Sequence, residues 1–206
     1  MIRLAGLTIA LSALAACGDK APDNATGNIA TEAMLNEAEA SVSNTTVPAA
    51  APTASVALNL APGGLMLADM NSGRSVQQEF GIGGRGLLAL AGAVLGKSTE
   101  TGTNRECGEG AMDFAKFDGL TLWFQEDKFV GWFLDGAKPK LTTGTGAGIG
   151  STRAQVADGL AISDVPDSSL GREFTTEGGG LSGMLDGAGD GAKVTALWSG
   201  QACIFR

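Results

Sequence analysis

The sequence predicts an α+β domain: an antiparallel sheet with two short helices, preceded by a disordered linker. Glycine is very abundant, at 32 of 206 residues, which favours turns and short strands over a helical bundle. Short β-rich runs bounded by turn residues dominate the C-terminal two thirds, and only two segments there have the composition of helices. We therefore divide the chain into a signal segment (1–17), a tether (18–63) and a folded domain (64–206).

The N-terminal segment has the pattern of an export signal. Arg3 provides a positive charge, and residues 4–14 are apolar but too short for a bilayer span, which needs about 20 residues. Residues Leu14-Ala15-Ala16-Cys17 resemble the bacterial lipobox. The resemblance implies that the thiol of Cys17 carries a diacylglycerol and its new amino group a fatty acyl chain such as palmitate. The alternative is an ordinary signal peptide with an incidental cysteine.

The residues after Cys17 indicate where the anchored protein resides. In lipoproteins an aspartate directly after the lipidated cysteine favours the inner membrane. Gly18 has that position here, and Asp19 alone is a weaker signal. The resemblance therefore implies anchoring at the periplasmic face of the outer membrane. The lipid bilayer is the first expected partner, because several acyl chains anchor stably where one binds only marginally.

Charge and composition exclude several classes of function. The formal net charge of −8 argues against nucleic acid and against adsorption to anionic lipid. The chain has no histidine, which excludes a histidine-based catalytic triad and a histidine metal site. We predict no metal, no cofactor and no bound nucleotide.

The roles of the three cysteines are assigned with the help of the lipobox resemblance. If lipid occupies Cys17, then Cys107 and Cys203 remain as an even pair in an oxidising compartment, where a disulfide is the default. Closing a loop of about 95 residues is worth on the order of 4–5 kcal/mol in the chain-entropy model. The alternative is two free thiols or one reactive nucleophile, which lacks an obvious activating base.

The tether and the first half of the domain follow in order. Residues 18–63 are rich in Ala, Asn, Thr and Pro and cannot bury enough apolar area to offset the entropy of ordering. A hairpin is predicted around Asn71-Ser72-Gly73, then a buried helix that ends at Gly96. After a polar loop containing Cys107, strands are predicted at 112–117, 120–124 and 129–134.

The second half repeats features of the first. Gly148-Ile149-Gly150 matches Gly81-Ile82-Gly83, and each precedes a predicted helix; the second is capped by Thr152 with Gln155 in a capping box. Predicted strands follow at 169–174, from 180, at 194–198 and at 202–206. Gly180-Leu181 corresponds to Gly119-Leu120, and Trp198 to Trp132. We predict two tandem αβββ-like repeats, 64–138 and 139–206. Chance recurrence of short motifs is the alternative.

The start of the second helix carries a family resemblance. Gly148 to Arg153, with Val156 and Leu160, resembles the glycine-threonine helix start of small αβ repeat modules in bacterial envelope proteins. Examples are the SmpA/OmlA-type outer-membrane assembly lipoprotein and the tandem-repeat β-lactamase inhibitory protein. The resemblance implies binding of a protein through a sheet face, without identifying the partner.

Two functions are open for the domain. The first is a non-enzymatic binding or scaffolding module with an envelope protein as partner. Trp123, Phe124 and Trp132 are its candidate binding residues, since neighbouring strand residues point to opposite faces of their predicted hairpin. One face must be core, and the other is either covered by a helix or an exposed recognition surface. The alternative is a small envelope hydrolase with two acids in one cleft, drawn from six carboxylates: Glu106, Glu109, Asp113, Asp118, Glu126 and Asp127.

Three further motifs have structural explanations. Gly81 to Gly86 fits a dinucleotide-binding pattern but follows a half-polar run, so a helix start explains it better. Gly96-Lys97-Ser98 resembles the end of a phosphate-binding loop but fits a helix C-terminus. Asp186 to Gly191 resembles a calcium loop, although Ala188 lacks a ligand side chain, so a turn between strands is the better interpretation.

Overall fold

The computed structural model describes residues 55–136 and 140–205. The lipobox, Cys17 and most of the tether lie outside the described residues. The described chain begins with a small antiparallel sheet of β1 (Val56–Ala61), β2 (Gly64–Asp69) and β3 (Ser75–Glu79), in that spatial order. The β2–β3 hairpin is the predicted one, with its turn at Asn71 to Gly73. β1 falls inside the range assigned to the tether, because residues 56–60 alternate apolar side chains that join the core.

The large sheet has eight antiparallel strands. In chain order these are β4 (Glu100–Asn104), β5 (Met112–Phe117), β6 (Leu120–Gln125), β7 (Lys128–Leu134), β8 (Ile162–Asp164), β9 (Arg172–Thr176), β10 (Ser182–Leu185) and β11 (Val194–Gly200). Their spatial order is β4-β5-β6-β7-β11-β10-β9-β8. β7 and β11 pair at the centre, so the first four and last four strands form the two halves of one sheet.

Two helices accompany the sheets. Helix α1 (Gly84–Leu95) ends at the predicted Gly96, whose positive φ of 86° suits a glycine. Helix α2 (Arg153–Gly159) begins at the predicted capping box: the Thr152 hydroxyl accepts from the Gln155 amide, and the Gln155 side chain accepts from the Thr152 amide. The α+β class with antiparallel sheets is therefore confirmed.

The main core lies on one side of the large sheet, which we call the inner face. It holds large side chains of β6, β7 and β11, including Leu122, Trp132 and Leu197. Leu60 and Leu65 of the small sheet and Leu87 of α1 cover them. The opposite side is the outer face, where a second cluster forms around Met112 and Trp123.

Three predictions about strands differ from the structure. β4 forms where a polar loop was expected, because this exposed edge strand has no apolar face to identify it. β8 has only three residues and was not predicted. The C-terminal residues 202–205 were expected to form a strand, but they lie across the outer face without strand pairing.

Candidate functional site

The predicted binding residue Trp132 is a core residue. Its side chain is fully buried on the inner face. The indole Nε1 donates hydrogen bonds to the carbonyl oxygens of Ala61 (3.2 Å) and Gly64 (2.8 Å), which flank the β1–β2 turn. Trp132 therefore holds the small sheet against the large one, because a buried indole N–H requires an acceptor.

The two neighbouring candidates are also buried. Phe124 lies on the inner face, with its ring centroid 6.0 Å from that of Phe129. Trp123 points to the outer face, where its ring centroid lies 5.6 Å from that of Phe114. Its exposed fraction is 9%. The three residues thus belong to two sides of one sheet and present no exposed aromatic patch.

A second aromatic pair lies at the centre of the outer face. Phe133 of β7 and Trp198 of β11 are paired directly across the two strands. Their rings stack with centroids 6.1 Å apart and an interplanar angle of 27°. Trp198 and Trp132 therefore lie on opposite faces, so the residue-by-residue match between these two tryptophans is wrong. Adjacent β residues point to opposite sides, so a shift of one position reverses the face.

The C-terminal segment Gln201–Phe205, which we call the strap, crosses the outer face. The chain leaves β11 at Gly200, and the amide of Gln201 donates to the carbonyl oxygen of Val130 at 2.9 Å. A Cβ on Gly131 would lie 2.0 Å from the carbonyl oxygen of Gln201, so only glycine lets the strap approach so closely.

A covalent link holds the strap in place. The thiols of Cys203 in the strap and Cys107 in the β4–β5 connection lie at disulfide-bonding distance, as predicted, with Cα atoms 5.0 Å apart. The strap covers Met112 and Trp123. Two buried polar atoms in this region have no hydrogen-bond partner within residues 55–136 and 140–205: Trp123 Nε1 and, in the strap itself, Gln201 Oε1.

An apolar cleft remains open beside the strap. Its volume is about 370 Å³. The walls are formed by six large apolar side chains: Phe133, Leu170, Met184, Trp198, Ile204 and Phe205. Phe205 is 63% exposed at its rim. Trp, Phe and Met are the side chains enriched at protein interfaces, and this cleft holds all three. No single sequence segment shows it, because its residues come from four separate parts of the chain.

A second cavity lies between α1 and the inner-face edge of β4 to β6. It has a volume of about 400 Å³ and apolar walls that include Leu88 and Phe124. Arg85, Asp113 and Asp127 supply charged groups. The Thr103 hydroxyl donates to Asp113 Oδ1 at 2.5 Å. Two of the six predicted carboxylates therefore line one cavity, as the hydrolase alternative requires.

The other four predicted carboxylates lie outside that cavity. Asp118 and Glu126 occupy turn positions with φ of 53° and 50°. Glu109 lines a groove beside the disulfide. Glu106 follows β4, and its amide donates to the Asn104 side chain at 2.9 Å. Within the described part of the chain, no group of three acidic or cysteine side chains is arranged to hold a metal ion.

A third, polar cavity was not predicted. It has a volume of about 400 Å³ and lies between α2, β9 and the β10–β11 turn. Arg153 Nη1 and Asp164 Oδ1 form an ion pair of 2.6 Å at its edge. The buried carboxylate of Glu173 accepts a hydrogen bond from the Ser168 hydroxyl at 2.6 Å. These residues are scattered charged and polar positions, so no motif identified them.

The glycine motif before α1 is hydrogen-bonded to the β6–β7 hairpin. The amides of Gly81 and Gly84 donate to the carbonyl oxygens of Phe129 and Asp127, both at 2.7 Å. Amides already used in this way cannot wrap a phosphate, which supports the helix-start interpretation. The Asp186 carboxylate likewise accepts from the Lys193 amide at 2.7 Å within the β10–β11 turn, as a turn aspartate does.

Within residues 55–136 and 140–205, no helix combines the length and the apolar character needed to cross a membrane. Comparison of the whole chain with protein-family models, with curated proteins and with solved structures gives no match.

Proposed function

We propose that this protein is a lipid-anchored binding or scaffolding module on the periplasmic face of the outer membrane, and that its domain contacts an envelope protein through the outer-face cleft. The observation that carries the proposal is the cleft between Trp198 and the strap, with Phe205 63% exposed at its rim. Exposed aromatic residues beside a preformed apolar cavity are typical of interface anchors.

The strap supports binding because it is held before a partner arrives. A free C-terminal segment would lose conformational entropy on binding, and that loss weakens affinity. Here the Cys107–Cys203 bond and the hydrogen bond from Gln201 to Val130 fix its path. The strap is therefore held up to Cys203 before a partner arrives, and the rim residues Ile204 and Phe205 follow directly from that fixed point.

The anchor and tether place the domain. The lipobox resemblance implies acylation of Cys17, and the disulfide suits an oxidising compartment such as the periplasm. A tether of about 40 residues would span roughly 35 Å if it behaved as the coil that its composition predicts. This arrangement favours partners that are themselves attached to the membrane, because tethering raises their effective concentration.

The topology supports an internal repeat. In each half of the large sheet, four strands follow one helix in the chain: β4 to β7 follow α1, and β8 to β11 follow α2. The two halves meet where β7 pairs with β11. The segments before the two helices make similar hydrogen bonds to β7 and β11: Gly81 N to Phe129 O (2.7 Å) and Gly150 N to Val194 O (2.8 Å). These bonds align Gly81 with Gly150 rather than with Gly148. We infer an αββββ repeat unit, which adds one strand to the predicted αβββ pattern.

Site-specific photo-crosslinking in intact envelopes tests the proposed interface. We expect a photoreactive phenylalanine analogue at Phe205 to form an adduct with an envelope protein. Met184→Asp, which places a charge in the cleft, should abolish the adduct. The matched control is the same analogue at Leu90, a 39% exposed residue of α1. Equal yields at both positions would overturn the proposed interface.

The same crosslinking tests the role of the anchor. Cys17→Ala should lower the yield of the adduct at position 205, because the unlipidated domain is not held beside its partner. A yield that is unchanged in this variant would show that the interface forms without lipid anchoring, and would remove the anchor from the proposal.

A small envelope hydrolase is the second candidate, favoured by the shared cavity of Asp113 and Asp127. Such an enzyme would use one carboxyl group as acid and the other as base or nucleophile. Asp113→Asn and Asp127→Asn should each abolish hydrolysis of isolated cell-wall glycan. Glu126→Gln, at an exposed neighbouring acid, should leave it intact. If the unmodified protein does not cleave the glycan, this candidate fails.

A further inference from the structure

The β2–β3 hairpin ends in an exposed apolar tip, which we define as residues 69–76. Met70 is 69% exposed and Val76 is 60% exposed. Along with Phe205 and Leu90, they are the large hydrophobic side chains exposed in the described part of the chain. Two such residues at one end of a hairpin, one in the turn and one in β3, leave an unusual amount of apolar area in water.

The turn at the tip is well ordered by its own hydrogen bonds. The Asp69 carboxylate accepts from the amides of Asn71 (2.8 Å) and Ser72 (3.0 Å). The Asp69 amide donates to the carbonyl oxygen of Arg74 at 2.8 Å. Met70 is therefore presented on a closed turn, which lowers the entropy lost when its side chain is buried against another surface.

Val76 extends the core outward along one row of the small sheet. Leu58, Leu67 and Val76 are register partners on β1, β2 and β3 and so share one face. Leu58 is buried, Leu67 is half-buried and Val76 is exposed. The apolar row thus continues from the core to the edge of the molecule without a polar residue to end it.

The predicted membrane tether joins the domain at this same tip. The carbonyl oxygen of Ser55, the first described residue, accepts a hydrogen bond from the Met70 amide at 2.5 Å. The chain from the predicted lipidated Cys17 therefore arrives beside the most exposed apolar residue in the described structure. This position of the tether favours the bilayer as the surface that covers the tip.

We propose that the hairpin tip is a second membrane contact, in which Met70 and Val76 insert into the interfacial region of the bilayer to which Cys17 is anchored. The inference rests on the proposed lipid anchor. The chain as a whole is acidic, but the charges on the tip, Asp69 and Arg74, cancel. The tip is therefore a part of the surface that anionic headgroups do not repel.

Tethering explains how two side chains are sufficient. Two partly buried residues bind a bilayer too weakly to recruit a free protein. A domain already linked to the membrane by about 40 residues meets the surface at an effective concentration in the millimolar range. Weak insertion then sets the orientation of the domain, and the outer-face cleft is presented in a fixed direction.

An environment-sensitive fluorophore tests this contact. The lipidated protein carries a nitrobenzoxadiazole label on Met70→Cys and is reconstituted in vesicles of phosphatidylethanolamine and phosphatidylglycerol. The control label is on Glu177→Cys, an exposed turn residue. That turn is remote from the tip: its Gly180 lies near Pro62, at the opposite end of β2. We expect a blue-shifted emission and several-fold weaker iodide quenching at position 70, with neither change at position 177.

Flotation of the vesicles separates this proposal from the anchor itself. If the protein floats with the vesicles but the label at position 70 is as accessible to iodide as the one at 177, the tip contact is overturned and the anchor stands. If the protein does not float, the proposed anchor fails and the tip contact falls with it. Protection at position 70 without vesicles, rising with protein concentration, would show self-association and also overturn the proposal.

A variant with an intact fold gives an independent check. Val76→Asp in the protein labelled at position 70 should restore iodide quenching towards the level of the control label, because a charge within the tip opposes its insertion. Val76 lies at an exposed position, so far-ultraviolet circular dichroism should be unchanged. Unchanged protection at position 70 in this variant would contradict insertion of the row that ends at Val76.

Discussion

Replacing Trp132 with phenylalanine should destabilise the domain far more than the same change at Trp123. The two residues lie on neighbouring strands, and both are at least nine-tenths buried. They differ in their indole N–H: Trp132 Nε1 donates to two carbonyl oxygens, whereas Trp123 Nε1 has no partner in the described structure. The pair therefore separates the hydrogen bonds from the loss of aromatic volume, which both variants share.

The magnitude follows from what each variant leaves behind. Loss of the larger ring costs about 1 kcal/mol in either case, for some 40 Å² of apolar surface at about 25 cal/mol per Å². Trp132→Phe also leaves the carbonyl oxygens of Ala61 and Gly64 without their donor, which costs a further ~1–3 kcal/mol. Trp123→Phe removes a donor that was already unpaired, so it should cost no more than the packing loss.

Guanidinium denaturation followed by circular dichroism measures both variants. The expected result is a lower midpoint for Trp132→Phe than for Trp123→Phe, with equal slopes, which corresponds to a difference of about 1–3 kcal/mol in the free energy of unfolding. A difference below about 0.5 kcal/mol, within the usual scatter of surface substitutions, would refute the claim that the indole hydrogen bonds hold the two sheets together.

Three further predictions concern the strap and the hairpin tip. Cys107→Ser with Cys203→Ser opens a loop whose ends are 96 residues apart; it should lower the free energy of unfolding by about 4–5 kcal/mol in a denaturant titration, and a loss below 1 kcal/mol would contradict this. Gly131→Ala should displace Gln201 and raise proteolysis of the C-terminus, while Gly92→Ala, where a Cβ meets open space, should not. The amides of Ser72 and Asn71 lower the pKa of Asp69 below its ordinary 3.8. The ionised Asp69 carboxylate therefore contributes stability above that ordinary value, and this contribution is lost as the pH falls through the lower pKa of the folded state. Asp69→Asn should make the free energy of unfolding depend less on pH below about pH 4. An unchanged pH dependence in this variant would contradict the role of Asp69 in the turn.

The local elements that were predicted correctly have signals within a few residues. β5 was predicted at 112–117, the same residues that the structure shows, because alternation and turn residues define it. The capping box at Thr152 and the helix end at Gly96 were found because capping depends on side chains three residues apart and on a glycine with positive φ. The two thiols of the disulfide were found by elimination.

The elements that were missed lack such local signals. β4 is an edge strand of exposed polar residues, and only its pairing with β5 makes it a strand. β1 was taken as tether because Pro62 follows it, although this proline lies in the tight turn to β2. The match of Trp198 to Trp132 failed because equal spacing in sequence did not preserve the face of the sheet.

The candidate site shows the same division. The sequence by itself determined the acidic charge, the exclusion of histidine chemistry and the strands and helices that neighbouring residues define. It also provided the prediction of a lipid anchor at Cys17. Only the tertiary structure decided that Trp123 and Trp132 are buried on opposite faces, that the strap leaves a cleft beside Trp198, and that Asp113 and Asp127 share a cavity. The physical reason is that burial and convergence depend on contacts between residues far apart in the chain, whereas caps, turns and alternation depend on neighbours.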